Sequence, residues 1–329
     1  MSTDLPGEQE IPHPPASKSA VKEILIAGIV STALFSAFLA LPLVGMLTLP
    51  FLAVPGTRLA FRRGGVAGIS AALLSTGVLL GLGLATGGSA DAVAFALFAL
   101  IVTGLPPLFA AQVRRGRHPS SAFLALCASG FFLLSAGLAL RPVAGGKTMP
   151  QEIAAAFDEM TPAAVASYTR GGMDAESVAR LKIVLASARA FAVKFWVGLI
   201  GVTWILSGGI ALYTGARLAR PSPAAEETRF DRLTVPPSVV VLFVAAGAGA
   251  VLAPTPAAEI AGNLLIPLTA LYFLAGLSII CHFARKWFRA RILRVGLYGL
   301  AIYFPINVGV GLLGLFDWYA DFRHRGEKA

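Results

Sequence analysis

Twenty consecutive residues without a charge, AVAFALFALIVTGLPPLFAA from Ala92 to Ala111, restrict this chain more than any motif in it. At about 1.5 Å of rise per residue, a helix of that length reaches across the roughly 30 Å hydrocarbon core of a bilayer. Comparable runs recur throughout the chain: Ile24 to Leu41, Leu43 to Phe61, Val66 to Thr86, Ala92 to Gln112, Ser121 to Leu140, Val193 to Leu212, Pro236 to Ala253, Ala257 to Phe283 and Ile292 to Phe316. The expected fold is all-α, a polytopic transmembrane helical bundle of eight to ten membrane segments. The first two runs form one stretch of about 38 residues, nearly twice the bilayer, so LPLVG at Leu41 to Gly45 is expected to hold a tight hairpin.

Composition excludes an ordinary soluble domain, which carries roughly 25% charged residues. Here 13% of 329 residues are charged, and the mean hydropathy is +0.75. No polar insertion is large enough for a second domain, so residues 23–325 read as a single membrane domain followed by a tail at 326–329. The first 22 residues, polar and proline-rich, lack the basic start of a signal peptide and are expected to be a disordered cytoplasmic tail. The net charge of +10 does not indicate nucleic acid, because the basic residues sit at the ends of apolar runs without a DNA- or RNA-binding signature. Cys127 and Cys281 lie within apolar runs as small hydrophobes, so no disulfide framework is implied.

Arginine and lysine mark one side of a membrane. Arg58, Arg62 and Arg63 follow the second run, Arg114, Arg115 and Arg117 the fourth, Arg217, Arg220, Arg229 and Arg232 the sixth, and Arg285, Lys286, Arg289, Arg291 and Arg294 the eighth. The alternate short loops, 87–90 and 254–256, contain neither residue type. Cytoplasmic loops carry this excess, so the N-terminus is expected in the cytoplasm. Arg285, Lys286, Arg289 and Arg291, beside an interfacial Trp287, are candidates for contact with anionic lipid headgroups or a protein partner.

The end of the chain disturbs this parity. DFRHRGEK is basic and belongs on the cytoplasmic side, yet a single crossing by the last run would put it outside. Pro305 and Asn307 interrupt that run, so residues 292–316 either cross once or form a hairpin or re-entrant pair of short helices. The one large hydrophilic insertion, 141–192, falls on the extracytoplasmic side. Its apolar spacing, Pro150 in a first turn and Asp174 as an N-cap candidate indicate short helices over the bundle mouth, acting either as a lid or as inert cover.

Ionisable side chains at membrane depth would signal ion coupling. None lies near the centre of a run, the closest being Asp91 and Glu259 near outer ends. Glu259 and Asn263, spaced i, i+4 near the outer mouth, are candidate ligand-binding residues together with Trp204 and Tyr272. The competing reading of the pair is a solvated carboxylate beside a helix-packing asparagine. The four histidines are scattered, and HExxH, Cys/His spacing, a GxSxG elbow and a P-loop are all missing from the sequence. No catalytic residue, metal ligand or cofactor is expected, the chain is expected not to be an enzyme, and ATP would be used through a partner. Small-residue pairs such as Gly64 with Gly68, Gly77 with Gly81, and Ala33 with Ala37 offer close helix approach.

NLLIPLTALYFLAGLSIICHFARKW (Asn263 to Trp287) and the tail GLLGLFDWYADFRHR (Gly311 to Arg325) resemble the YybS-like family of bacterial multi-pass inner-membrane proteins. RLAFRRGG after the early proline-rich stretch, the insertion before the sixth run, and FDRLTVPP (Phe230 to Pro237) fit the same pattern, which spans Ile24 to Arg325. The entrance to the sixth run departs from it, with ARAFAVKFW where the family has a proline. The resemblance implies a bacterial inner-membrane location. It also implies a layout similar to the substrate-binding S components of energy-coupling-factor vitamin transporters, whose AxxxA pattern in the first span meets a membrane partner. Ala33 and Ala37 match that pattern here.

Two functions are then open. In one, the chain is a small-molecule-binding or transport subunit whose cavity opens outward beneath the insertion, between the fifth, sixth and eighth runs, and whose energy comes from partner ATPase subunits. In the other, it is a non-transporting scaffold or regulator that docks a protein through its basic cytoplasmic loops.

Overall fold

A computed structural model describes residues 18–40, 45, 47–86, 89–140 and 146–323. Residues 41–44 of the expected hairpin, 1–17 of the expected tail, and the side chain of Asp91 lie outside the described residues.

Helix α1, Lys18–Ala40, begins earlier than the polar tail suggests, taking in residues 18–22. The second apolar run does not continue as one span. Pro50 and Pro55 each open a new element, as a residue without an N–H and with a fixed φ does at a first turn. They start a 3-10 turn, Leu49–Phe51, and the ten-residue α2, Val54–Arg63. At about 15 Å, α2 reaches half-way through a bilayer. Its Gly56, Thr57, Ala60 and Phe61 are buried, and it packs on α1 and three later helices. Gly64, at φ 102°, turns the chain into α3, Gly65–Ala85, a conformation open to glycine and costly for a side chain.

Next come α4, Ser89–Arg114, and α5, Pro119–Leu140. The insertion folds as α6, Met149–Arg170, which opens with Pro150 and returns into α7, Ala175–Ala219. The start of α7 is capped by Asp174, whose carboxylate accepts from the Ser177 N–H at 2.8 Å. Spanning 45 residues, or about 67 Å, α7 joins the insertion's second helix to the sixth apolar run, and its only break is at Phe195 (φ −114°, ψ 25°). The chain ends with α8, Pro237–Leu252, α9, Ala257–Trp287, α10, Arg291–Ile302, and α11, Ile306–Ala320.

Six of these helices, α1, α3, α4, α5, α7 and α9, are long and apolar enough to cross a membrane, or seven spans if α10 and α11 count as one. Each of the nine apolar runs contains a helix among the described residues, but three of them, on α2, α8 and the α10–α11 pair, are short or broken. Phe35, Phe123, Leu126 and Leu212 are fully buried between helices, whereas Ile29, Val241 and Val251 point outward with 64%, 70% and 81% of their surface open. A bundle with an apolar exterior of this kind is solvated by lipid.

One end of the bundle is tied together by polar contacts. Arg63 pairs with Glu23 at 2.7 Å, Arg58 Nε donates to Leu218 O, Ser222 Oγ donates to Phe61 O, and the Thr234 N–H donates to Ser120 Oγ. These contacts gather the start of α1, the ends of α2 and α7, the start of α5 and the approach to α8. Every Arg and Lys cluster named above lies at or beside this basic end.

The α10–α11 pair bends by 95°. It leaves from the end of α9, where Arg285 meets Asp231 at 2.9 Å, and it returns to the same end, where Arg323 Nη2 donates to Leu233 O at 2.8 Å and to Ser278 Oγ at 2.8 Å. Both ends of the pair therefore lie at the basic end, so the chain leaves and returns on one side of the bundle. The depth of the pair is set by glycine. A Cβ at Gly276 would lie 1.8 Å from Val310 O, and one at Gly314 would lie 2.1 Å from Tyr272 O, so α9 and α11 touch backbone to backbone.

Candidate functional site

The four candidate ligand residues do not gather around one space: Glu259 and Asn263 lie together on α9, and Trp204 and Tyr272 lie elsewhere. Asn263 is fully engaged as a helix clasp. Its Oδ1 accepts from the Gly198 N–H at 2.9 Å, and its Nδ2 donates to Lys194 O at 3.1 Å and Glu259 O at 2.9 Å. Lys194 O and Gly198 N–H would bond to each other in an unbroken helix, and the asparagine amide bridges them beside the break at Phe195. The same stretch of α9 has a matching defect, because Pro267 lacks the N–H that would reach back to Asn263 O. Gly198 sits against that carbonyl, with room for no Cβ beyond 2.9 Å. Glu259 lies at the surface, 3.6 Å from Lys194, whose ammonium also stands over the Phe195 ring.

Tyr272 is on another side of α9. Its ring packs edge-on against Phe243 with centroids 5.2 Å apart, and its buried hydroxyl has no hydrogen-bond partner among the described residues. Trp204 lines a cavity. Its Nε1 donates to Leu126 O at 2.9 Å, and its ring fills the space left by Gly130, where a Cβ would come within 1.9 Å.

That cavity, of about 480 Å³ and termed outer here for its place at the insertion end of the bundle, is lined by Trp196, Thr203, Trp204 and Ser207 of α7, with walls from Phe98 and Val102 of α4 and Leu134 and Leu138 of α5. Met149 and Ile153 of α6 close it from the side away from the basic end, so the first turn of the insertion is part of the cavity wall. The expected cavity included the eighth run; the observed one uses α4 instead of α9. Its polar groups are few: the Thr203 hydroxyl is bound to Leu199 O, and the buried Ser207 hydroxyl has no partner among the described residues.

A second, larger cavity of about 960 Å³ lies at the basic end between α7, α9 and α10, and six arginines line it: Arg217, Arg220, Arg229, Arg285, Arg291 and Arg294. Beside it, Asp231 is buried and accepts from both nitrogens of the Arg229 fork, at 3.1 and 2.7 Å, and from Arg285. Burial alone would raise the Asp231 carboxyl; the Arg229 hydrogen bonds and the two guanidinium charges outweigh it and hold the group below the usual carboxylate range. All four expected contact residues are exposed, and of them Arg285 and Arg291 line this cavity while Lys286 and Arg289 do not.

On α1, Ala33 is exposed and Ala37 half-buried, on the face that also carries Ile26 and Ile29, while the opposite face packs Thr32 against Ser75 of α3 at 3.1 Å. Among the described residues, no group of three His, Cys, Asp or Glu side chains is placed to hold a metal ion.

No curated protein and no solved structure matches the chain. A family model described as "Predicted membrane protein (DUF2232)" matches residues 29–318, from the first half of α1 to the last turn of α11. With that match covering nearly all of the bundle, the chain belongs to the DUF2232 family of predicted membrane proteins.

Proposed function

We propose that this protein is a small-molecule-binding or transport subunit without catalytic activity of its own, resident in a bacterial inner membrane with its basic end and N-terminus in the cytoplasm. The observation that carries the reading is the outer cavity. Its volume of about 480 Å³ falls within the range of small-molecule sites. Two indole rings and one unpartnered hydroxyl suit a mostly apolar molecule with a single hydrogen-bonding group.

The likeness to YybS-like proteins and to S components supports a partner-driven role, in which a separate membrane subunit and ATPases supply energy. The open face of α1 at Ala33 and Ala37 is where such a subunit would dock, and anionic headgroups of the bilayer would surround the basic end. The scaffold reading keeps one observation in its favour, the exposed Lys286 and Arg289 beyond the basic cavity.

Gentle purification from native membranes, followed by mass spectrometry of bound molecules and partners, tests the proposal. It predicts a bound small molecule that Thr203→Trp removes while the protein stays folded. No bound molecule, or one that Thr203→Trp leaves in place, overturns it, and a protein partner lost on Lys286→Gln with Arg289→Gln would favour the scaffold.

A further inference from the structure

The basic cavity carries an inference separate from the outer one. Its polarity is ordered along the helices that build it. Arg217 and Arg220 stand at the end of α7, Arg285 at the end of α9, and Arg291 and Arg294 at the start of α10, all at the basic end of the bundle. The apolar lining comes mostly from deeper positions, Leu206 and Ile210 on α7, Phe273 and Leu277 on α9 and Ile302 on α10, with Val295 beside Arg294 leading into them. A cationic mouth over an apolar interior, both on helices set in lipid, matches an anionic head on a hydrocarbon chain.

Charge within the protein does not satisfy the mouth. Asp231 serves Arg229 and Arg285, and no ion pair involves Arg217, Arg220, Arg291 or Arg294 among the described residues. Two groups lining the cavity, the Tyr213 hydroxyl and Arg294 Nε, are buried without any hydrogen-bond partner among the described residues. Buried donors are almost always paired, so each of these two calls for an acceptor. A phosphate group offers several charged acceptor oxygens, and guanidinium groups bind them with short, strong hydrogen bonds.

We propose that this cavity is a specific site for a phosphate-bearing anionic lipid. Its phosphate sits among Arg217, Arg220, Arg291, Arg294 and the Tyr213 hydroxyl, and an acyl chain lies along Leu277, Val295 and Ile302. The site is distinct from the general attraction of basic loops for a negatively charged leaflet, because it needs both the arginines and the apolar depth.

Native mass spectrometry of the delipidated full-length protein, titrated with phosphatidylglycerol, phosphatidylcholine or inorganic phosphate, tests it. One phosphatidylglycerol should bind, roughly tenfold more tightly than phosphatidylcholine, with inorganic phosphate weaker than either. Arg217→Gln with Arg294→Gln should weaken phosphatidylglycerol roughly tenfold or more, while Arg114→Gln with Arg115→Gln, away from the cavity, should leave it unchanged. Val295→Trp fills the apolar part with every charge retained, and Tyr213→Phe removes only the hydroxyl; each should weaken binding on a folded protein. Equal losses in the two arginine pairs, inorganic phosphate binding as tightly as the lipid, or unchanged affinity in both Val295→Trp and Tyr213→Phe would overturn the proposal.

Discussion

The outer and basic cavities share α7 as a wall and differ in what each can hold. Adjacent residues of that helix look into different spaces, Leu206 into the basic cavity and Ser207 into the outer one. Towards the insertion, the lining is two indoles, aliphatic side chains and neutral hydroxyls; at the other end, guanidinium groups crowd over an apolar interior. One helix thus presents two chemistries according to depth and facing, and arginines that first signal topology also gather around a specific space.

If the two cavities are separate sites, substitutions should disturb one and spare the other. Trp204→Ala should have the largest effect, removing a ring packed on Gly130 and its bond to Leu126 O. A loss of about 3–5 kcal/mol is expected in thermal unfolding in detergent, and a lower temperature should recover lipid binding at the basic cavity. Gly276→Val should cost about 3 kcal/mol by forcing α11 off α9. In lipid titrations it should impair the basic cavity, whose α10 wall leads into α11, with the small molecule retained.

Asn263→Ala leaves the Gly198 N–H and Lys194 O without their bridge and should cost about 2 kcal/mol. Faster hydrogen exchange at Gly198 than at Gly215 of the same helix would show that the effect is local. Asp231→Asn should cost less, about 1 kcal/mol, because its arginine partners are partly solvated. It also releases two cations beside the basic cavity, so phosphatidylglycerol affinity should rise while the outer cavity is unaffected.

The smallest effect is one of pH. The Ser177 backbone N–H and then its hydroxyl hold the Asp174 carboxyl below its ordinary range. A group depressed on folding adds stability above its unfolded pKa and loses it as pH falls through the folded value. Protection of the first turn of α7 against hydrogen exchange, taken relative to the intrinsic rate at each pH, should therefore fall between about pH 5 and pH 2, and Asp174→Asn should flatten the profile.

Much of the bundle was legible in its apolar runs, and the clustering of arginine at one end was legible in their order. Asp174 as a cap and Pro150 in a first turn were readable because both act within four residues of themselves. Length misled at Leu43 to Phe61, where prolines at 50 and 55 divide a run long enough to span. The return of the α10–α11 pair to the basic end was an open alternative, because its resolution depends on Arg323 reaching Leu233 and Ser278, contacts that no local pattern encodes.

Site residues were harder to read for the same reason. Glu259 and Asn263 do share a helix face, but the partner that occupies Asn263 is the break in α7, whose Gly198 lies sixty-five positions away in the chain. The Gly276 and Gly314 contact joins two helices, so neither glycine belongs to a visible pair within one run, while Gly77 and Gly81, which do, face open space. Trp196 and Ser207 carry no sequence signal beyond apolar surroundings. The six arginines of the basic cavity were visible singly, but their convergence on one space was not.

The most direct test compares two blocked variants with the wild type, each purified from native membranes and read by native mass spectrometry. Thr203→Trp fills the outer cavity and Val295→Trp the apolar part of the basic one. Two independent sites predict loss of the bound small molecule in the first variant alone and loss of the bound anionic lipid in the second alone. Loss of both species in either variant, or of neither in both, would contradict the account.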